Sequence, residues 1–344
     1  MLDHTGPRRF VPAWDTSEQE PISQKLLLVA SSGGHLAELD RLAPGLKATS
    51  DSLWVTFDTP QSRSILAGRR RLYIPYVRPR DVIGVARTAR IIQQVLRQER
   101  FDGAVSTGAA IAVAALPLAA VNGVPSLYIE SVSRVVGPSL SGRLIASTGI
   151  VSLRTQYAGW ASRRWKLHPS ILATFHSEAR TPAPRPSLFV TLGTIEGYRF
   201  DSLIDAVLKT GLADHRTVWQ LGFTSDRSGL PGTVHQHMRY RDFQQAALAA
   251  DVVITHAGVG SLLGLLDLGI YPVLVSRRTE RNEHVDNHQH QIAELAGRLD
   301  VAASIDAPDL DAEIIHAAAR RLVFTGATTT AQPQPSGEPA GNQS

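Results

Sequence analysis

The segment Ala250–Gln291 constrains the fold more than any other part of the chain. An apolar run, Val252–Thr255, reaches His256 and is followed by the turn Gly258-Val259-Gly260-Ser261. A helical pattern comes next, then a second apolar run over Pro272–Val275 and a polar stretch, Glu283-His284-Val285-Asp286-Asn287-His288-Gln289. A strand feeding a helix through glycines leaves unpaired N–H groups at the positive end of a helix dipole, a place that favours an anion such as phosphate. Polar side chains close by can read hydroxyl groups. Phosphate beside hydroxyls is the chemistry of a nucleotide-sugar.

The same rhythm runs through the rest of the sequence. Lys25–Ala30 reads as a strand, Ser31-Ser32-Gly33-Gly34-His35 as a glycine turn, and Leu36–Leu42 as a helix. Strands are expected at Leu53–Phe57, Gly103–Ser106 and Ser126–Ile129. A helix is expected over Val82–Leu96, where Val82, Val85, Ala86, Ala89, Ile92 and Leu96 recur at helical spacing. Thr181–Pro186 holds three prolines in six residues and reads as an extended linker. Beyond it come strands at Leu188–Leu192, Thr217–Leu221, Val252–Thr255 and Pro272–Val275, with helices at Phe200–Leu208, Phe243–Ala249 and His288–Ala296. This alternation predicts an α/β fold of parallel sheets covered by helices, with ligands at the carboxyl ends of the strands. The expected division is a disordered tail (1–24), a first Rossmann-like domain (25–180), the linker (181–186), a second Rossmann-like domain (187–325) and a second disordered tail (326–344).

Composition narrows the function. The 344 residues include no cysteine, which excludes disulfides and thiolate metal sites. Residues 1–180 hold 22 Lys/Arg against 13 Asp/Glu, whereas residues 181–344 hold 13 against 18, so the first half is the basic one. An anionic membrane surface or an acidic acceptor accounts for that bias. At 6% aromatic residues, without an aromatic–basic motif, no nucleic-acid partner is expected. Residues 1–24 are polar and do not read as a secretory signal. The most apolar stretch, Ala109–Val121, contains Pro117 and is shorter than the ~20 residues of a spanning helix, so it is expected to be a buried helix.

Several motifs carry candidate chemistry. His35 follows the first strand and is a candidate general base, or else a hydrogen-bonding helix cap. Thr191-Leu192-Gly193-Thr194 opens the second unit with another glycine turn. His284 and His288 have i, i+4 spacing, but with the helix opening at Asn287–Gln289 they do not share a face, and no metal is expected. Arg69-Arg70-Arg71, with Arg78, Arg80, Arg87, Arg90, Arg97 and Arg100, forms a basic stretch suited to lipid headgroups, or a solvated face.

In their order, these motifs resemble a fused, two-domain GT-B glycosyltransferase. Ser32-Gly33-Gly34-His35-Leu36 with Glu38, Ser106-Thr107-Gly108, Tyr128-Ile129-Glu130-Ser131, Ser133-Arg134, Ser139–Gly142, and Gln156 before Trp160 are similar to PssD-type subunits and to the membrane-anchor subunit of the eukaryotic split dolichol-linked GlcNAc transferase. Thr191–Thr194, Ala250–Ser261 and Glu283–Gln289 are similar to PssE-type and eukaryotic donor-binding subunits. More distantly, residues 25–300 resemble MurG. The resemblance implies two Rossmann-like domains facing a cleft. It implies an inverting, metal-independent transfer of a sugar from a UDP-sugar to a polyprenyl-pyrophosphate-linked acceptor in cell-surface polysaccharide synthesis, at the cytoplasmic face of the membrane. No cofactor is implied beyond the co-substrate.

The resemblance also suggests roles. His35 is the candidate base and Glu130 the second candidate. Gly193, Thr194, His256, Gly258, Gly260 and Ser261 would hold the donor pyrophosphate, with Asp286, Asn287 and Gln289 at its sugar. Ser32, Gly33, Gly34 and Gly108 form the acceptor loop. Two departures stand out. The ribose-binding Glu of many GT-B enzymes corresponds to Gly264 here, as in the PssE-type group, leaving Asp267 as a candidate. The anchor subunits usually begin with a membrane helix, which is not read here, so peripheral binding through the arginine stretch is expected. Arg277 and Arg278 could pair with a donor carboxylate, which adds UDP-glucuronate to UDP-galactose, UDP-glucose and UDP-GlcNAc. Competing readings are a transferase for soluble natural-product acceptors, a sugar-nucleotide epimerase and a non-catalytic binding module.

Overall fold

The structure, a computed structural model, describes residues 23–78, 81–193, 197–283 and 288–326. Two parallel sheets dominate it. The first contains β1 (Leu26–Ala30), β2 (Leu53–Phe57), β3 (Arg71–Ile74), β4 (Gly103–Gly108), β5 (Ser126–Ile129), β6 (Ser152–Thr155) and β7 (Trp165–Leu167), in the order β3-β2-β1-β4-β5-β6-β7. The strand β8 (Phe175–Ala179) follows. The second sheet contains β9 (Leu188–Thr191), β10 (Val218–Gln220), β11 (Thr233–His235), β12 (Val252–His256), β13 (Val273–Val275) and β14 (Ala303–Ile305), in the order β11-β10-β9-β12-β13-β14. A last strand, β15 (Arg321–Thr325), pairs antiparallel with β8 over five residues. This is the α/β arrangement of parallel sheets expected from the alternating pattern, and the two-domain GT-B layout that the resemblance implies.

The apolar strands are buried on both faces, as a helix-covered parallel sheet requires: all five residues of β1 are buried. The helices are α1 (Gly34–Leu42), α2 (Pro60–Ile65), α3 (Val82–Gln98), α4 (Ala110–Val121) and α5 (Leu140–Ser147) in the first half. The second half has α6 (Asp201–Lys209), α7 (Tyr240–Ala249), α8 (Val259–Asp267), α9 (His288–Arg298) and α10 (Ala312–Ala318). Asp81 caps α3 by accepting the Gly84 N–H at 2.8 Å, and the helix buries the stripe Thr88, Ile92 and Val95. The apolar α4 is a buried helix packed between α3 and α5, and among the described residues no helix is long and apolar enough to cross a membrane.

The two halves meet along α1 and α8. A Cβ placed on Gly34 would stand 3.1 Å from Val259 Cβ, so the helices touch at their N-termini. At their other ends Arg41 of α1 is paired with Asp267 of α8. The helices therefore run side by side in the same direction. Leu36 and Leu39 share one core with Leu262, Leu263 and Leu266, which makes this seam continuous hydrophobic packing.

One expectation needs correcting. The arginines at 69–71 are not a free basic cluster. Arg69 pairs with Asp40 and lies over the Trp54 ring, Arg70 pairs with Glu99 at 2.8 Å, and Arg71 opens the edge strand β3. Arg78, Arg87, Arg90, Arg97 and Arg100 are exposed, while Arg80 lies outside the described residues.

Candidate active site

In a sheet of order 3-2-1-4, the connections from the two central strands leave in opposite directions and open a crevice at their carboxyl ends. Each half has such a point, between β1 and β4 and between β9 and β12. Both open on one interdomain cleft of about 1430 Å³. Its walls include Ser32, Gly33, Gly34, His35 and Glu38 from the first half. The second half contributes Gly193, His256, Gly258, Gly260, Ser261 and Gln289. Residues more than 200 positions apart in sequence are thus brought together.

At the first crevice His35 occupies the opening turn of α1. Its Nδ1 donates to the Thr107 carbonyl at 2.9 Å, and the Thr107 hydroxyl donates to the His35 carbonyl at 2.7 Å. A carbonyl can only accept, so Nδ1 carries the proton and the neutral ring presents Nε2 as an acceptor. Burial pushes the imidazole down to about 4, against the pull of the Thr107 bond and with a further push from Arg134. Gly108 backs the ring: its φ is 129°, and a Cβ there would come within 2.7 Å of His35 Cε1. Gly33 (φ 85°) caps α1 without a side-chain acceptor, and its own N–H is held by the Gln61 amide oxygen at 2.8 Å.

The second crevice repeats this with the partners exchanged. Here the histidine ends the strand and the glycine follows the neighbouring one: a Cβ on Gly193 would stand 2.5 Å from His256 Cε1. Gly258 crowds the same ring and caps α8, again without a side-chain hydrogen bond. The first-turn N–H groups of α1 and α8 therefore converge, uncapped, on one place, where their dipoles reinforce one another.

Glu38, one turn along α1 from His35, is fully buried yet borders the cleft. The Ser131 hydroxyl and the Val132 N–H reach its two oxygens at 2.6 and 3.0 Å. Burial pushes its pKa up to about 8, partly offset by these bonds, so the group is neutral at pH 7. A neutral acid adds no negative charge beside an anion site. In the sequence Glu38 belongs to a motif that assigns it no role, and its position three residues after His35 on a helix is the signal for this placement.

Glu130 is placed otherwise than the sequence reading expected. It is buried away from the cleft lining, and it accepts from Tyr128 Oη (3.0 Å), the Ser131 N–H (3.2 Å), and the Ser139 N–H and hydroxyl (2.9 and 3.0 Å). Four donors tie this carboxyl to the start of α5, and although burial raises its pKa, its position off the cleft lining separates it from a substrate. Arg277 is likewise no clamp for a donor carboxylate: it is 0% exposed and bonds backbone carbonyls. Arg278 pairs with Asp306 at 3.2 Å. Asp267, the ribose candidate, borders the cleft but is engaged by Arg41. Gly264 has nothing within 4 Å of an added Cβ. Thr194, Asp286 and Asn287 lie outside the described residues. The sequence reading did not single out the wall formed by Gln220, His237, Met238, Tyr240, Phe243 and Gln244, at the carboxyl edge of β10 and along α7.

Two Rossmann-like halves with facing crevices define the GT-B architecture. Comparison with known proteins agrees with that architecture: residues 204–334 match the glycosyltransferase family 28 C-terminal domain. No curated protein sequence matches it. Among solved structures, Acinetobacter baumannii MurG is similar with 16% identity and a TM-score of 0.53, over 85% of this chain and 89% of that one. The spinosyn forosaminyltransferase SpnP gives 12% and 0.56, over 87% and 91%. SnogD from Streptomyces nogalater gives 19% and 0.51, over 87% and 92%.

Proposed function

We propose that this protein is an inverting glycosyltransferase that moves a sugar from a UDP-sugar to a polyprenyl-pyrophosphate-linked acceptor, a single-chain counterpart of the PssD/PssE-type pairs. One observation carries the reading: a neutral histidine with a free Nε2 shares a cleft with two converging, uncapped helix N-termini. The donor diphosphate binds at the start of α8, beside His256, Gly258 and Gly260. The acceptor hydroxyl attacks the anomeric carbon from the side of α1, its proton passes to His35 Nε2, and the bond from that carbon to the diphosphate oxygen breaks. The negative charge growing on departing UDP is met by backbone N–H groups and helix dipoles, which need no reorganisation. Gln220, His237 and Phe243 offer polar and aromatic surface for the base, and Gln289 a contact for the donor.

A lipid-linked acceptor is supported by the first half. Helices of a parallel α/β sheet begin at the carboxyl edge, the edge on which the cleft opens. There Val82 and Ile83 at the start of α3 and Leu140 at the start of α5 are 78%, 74% and 57% exposed, with Tyr76 and Val136 exposed nearby. Arg78, Arg87 and Arg143 are exposed among them. Apolar side chains interleaved with arginines suit an anionic bilayer surface, which supports a cleft that works at the cytoplasmic membrane face.

The test is UDP release from a panel of UDP-sugars, with and without bacterial membrane lipid extract. Release that depends on extract, with one donor, is the expected result and identifies the sugar. Release with soluble acceptors alone would replace the lipid with a natural-product-type acceptor. UDP binding without release under any condition would reduce the protein to a binding module.

A further inference from the structure

Among the described residues Arg277 is the largest charged side chain buried out of solvent, at 0% exposure, just past the end of β13. Removing a guanidinium from water is costly unless hydrogen bonds replace its hydration. At the two terminal nitrogens they come from the backbone of two separate segments, while the buried Nε makes none. One terminal nitrogen donates to the carbonyls of Tyr198 (3.2 Å), Arg199 (3.3 Å) and Glu283 (2.9 Å), and the other to that of Leu192 (2.6 Å). The guanidinium also stacks on the Phe200 ring, 4.7 Å from its centroid.

The acceptors mark two strategic places. Leu192 precedes Gly193, the turn crowding His256, and Tyr198–Arg199 lead into α6. Glu283 ends the segment after β13 and precedes α9, whose first turn carries Gln289 into the cleft. Glu283 is itself braced by Ser202 of α6 and by Arg281 at 3.0 Å. We infer that Arg277 is a positioning residue for the donor: one planar fork ties Leu192, beside Gly193, and Tyr198–Arg199, before α6, to Glu283. The assignment rests on reading this cleft as a UDP-sugar site. A lysine cannot replace it, because an ammonium is a point donor and cannot span two segments in one plane.

The test uses the full chain as wild type, Arg277→Lys and Arg277→Met. Amide hydrogen exchange is read without ligand on peptides spanning 188–200 and 276–292, UDP affinity by calorimetry, and turnover against pH. In Arg277→Lys both peptides should exchange faster together while β12 keeps its protection. The Kd for UDP should rise on the order of ten-fold. The apparent pKa of turnover should stay at its wild-type value, because His35 is untouched. Unchanged exchange in both peptides would overturn the tie. Faster exchange with unchanged UDP affinity would overturn its role toward the donor. A wild-type protein that binds no UDP would remove the donor role together with the proposed function, with the exchange data still deciding the tie. If Arg277→Met does not fold, the lysine variant decides alone.

Discussion

His35 and Thr107 hold each other by two reciprocal hydrogen bonds, ring Nδ1 to carbonyl at 2.9 Å and hydroxyl to carbonyl at 2.7 Å. The pair fixes the tautomer and aims Nε2 into the cleft. With the imidazole near 4, the base is unprotonated throughout the neutral range. Turnover should therefore lose its base-dependent part only as pH falls toward 4, without the usual fall near 6.5. His35→Ala should lower kcat by about 10²–10⁴ and leave UDP affinity within about two-fold, since the ring acts on the acceptor proton. Steady-state kinetics beside a UDP titration check both; a large loss of UDP binding would place His35 on the donor instead.

Stability should pass through a maximum near pH 6.5 and fall on either side. An imidazole lowered from 6.5 to about 4 binds fewer protons folded than unfolded, so its contribution is complete above 6.5 and is lost as pH falls toward 4. His168, also lowered to about 4 by burial, adds to this acid limb. Glu38, raised from 4.5 to about 8, acts in the opposite sense: its contribution is complete below 4.5 and lost as pH rises through 8. A glutamine at 38 mimics the protonated acid, its NH₂ toward Ser131 and its oxygen toward the Val132 N–H. Melting temperatures of wild type and Glu38→Gln from pH 5 to 9 should diverge with rising pH, with the variant flatter above about 6.5. Parallel curves would mean that Glu38 ionises normally.

Two glycines near α8 should respond in opposite ways. A Cβ on Gly258 would stand 2.4 Å from His256 Nε2 and must displace the ring, so Gly258→Ala should weaken UDP binding on the order of ten-fold. Gly264 lies inside α8 with open space around an added Cβ, so Gly264→Ala should stabilise the protein by roughly 0.5–1 kcal/mol. Chemical denaturation and calorimetry read the two effects separately.

Negative charge introduced on the apolar edge should separate membrane binding from catalysis. Ile83→Asp with Leu140→Asp puts two carboxylates where exposed apolar groups flank arginines. Sedimentation with phosphatidylglycerol vesicles at low salt should fall several-fold, while UDP affinity is retained. Equal sedimentation of wild type and variant would remove this edge as the docking surface.

Much of this was legible from local pattern. β2 and β5 fall on the expected residues, Leu53–Phe57 and Ser126–Ile129, because strands buried on both faces are mostly apolar, with Thr56 and Ser126 as the polar exceptions. The glycine turns announced both crevices. What failed depended on burial and on distant partners. Arg277 resembles a ligand clamp in sequence, since spacing does not show that carbonyls 78 to 85 residues earlier take up its donors. Asp267 resembles a ribose ligand until Arg41, 226 positions away, is found beside it. Glu130 loses its candidacy to Ser139, whose N–H and hydroxyl close over it. β3 escaped notice because an edge strand beginning with arginine lacks the apolar run of a central one.

The ladder between β8 and β15 joins chain segments on either side of the second sheet. The whole of that domain is therefore a loop whose two ends are clasped at one spot. A polypeptide cut within residues 181–186 would leave β8 on one fragment and β15 on the other. Reassembly would then be strand donation: a two-piece version of this protein carries, in five paired residues, its own means of finding the other half.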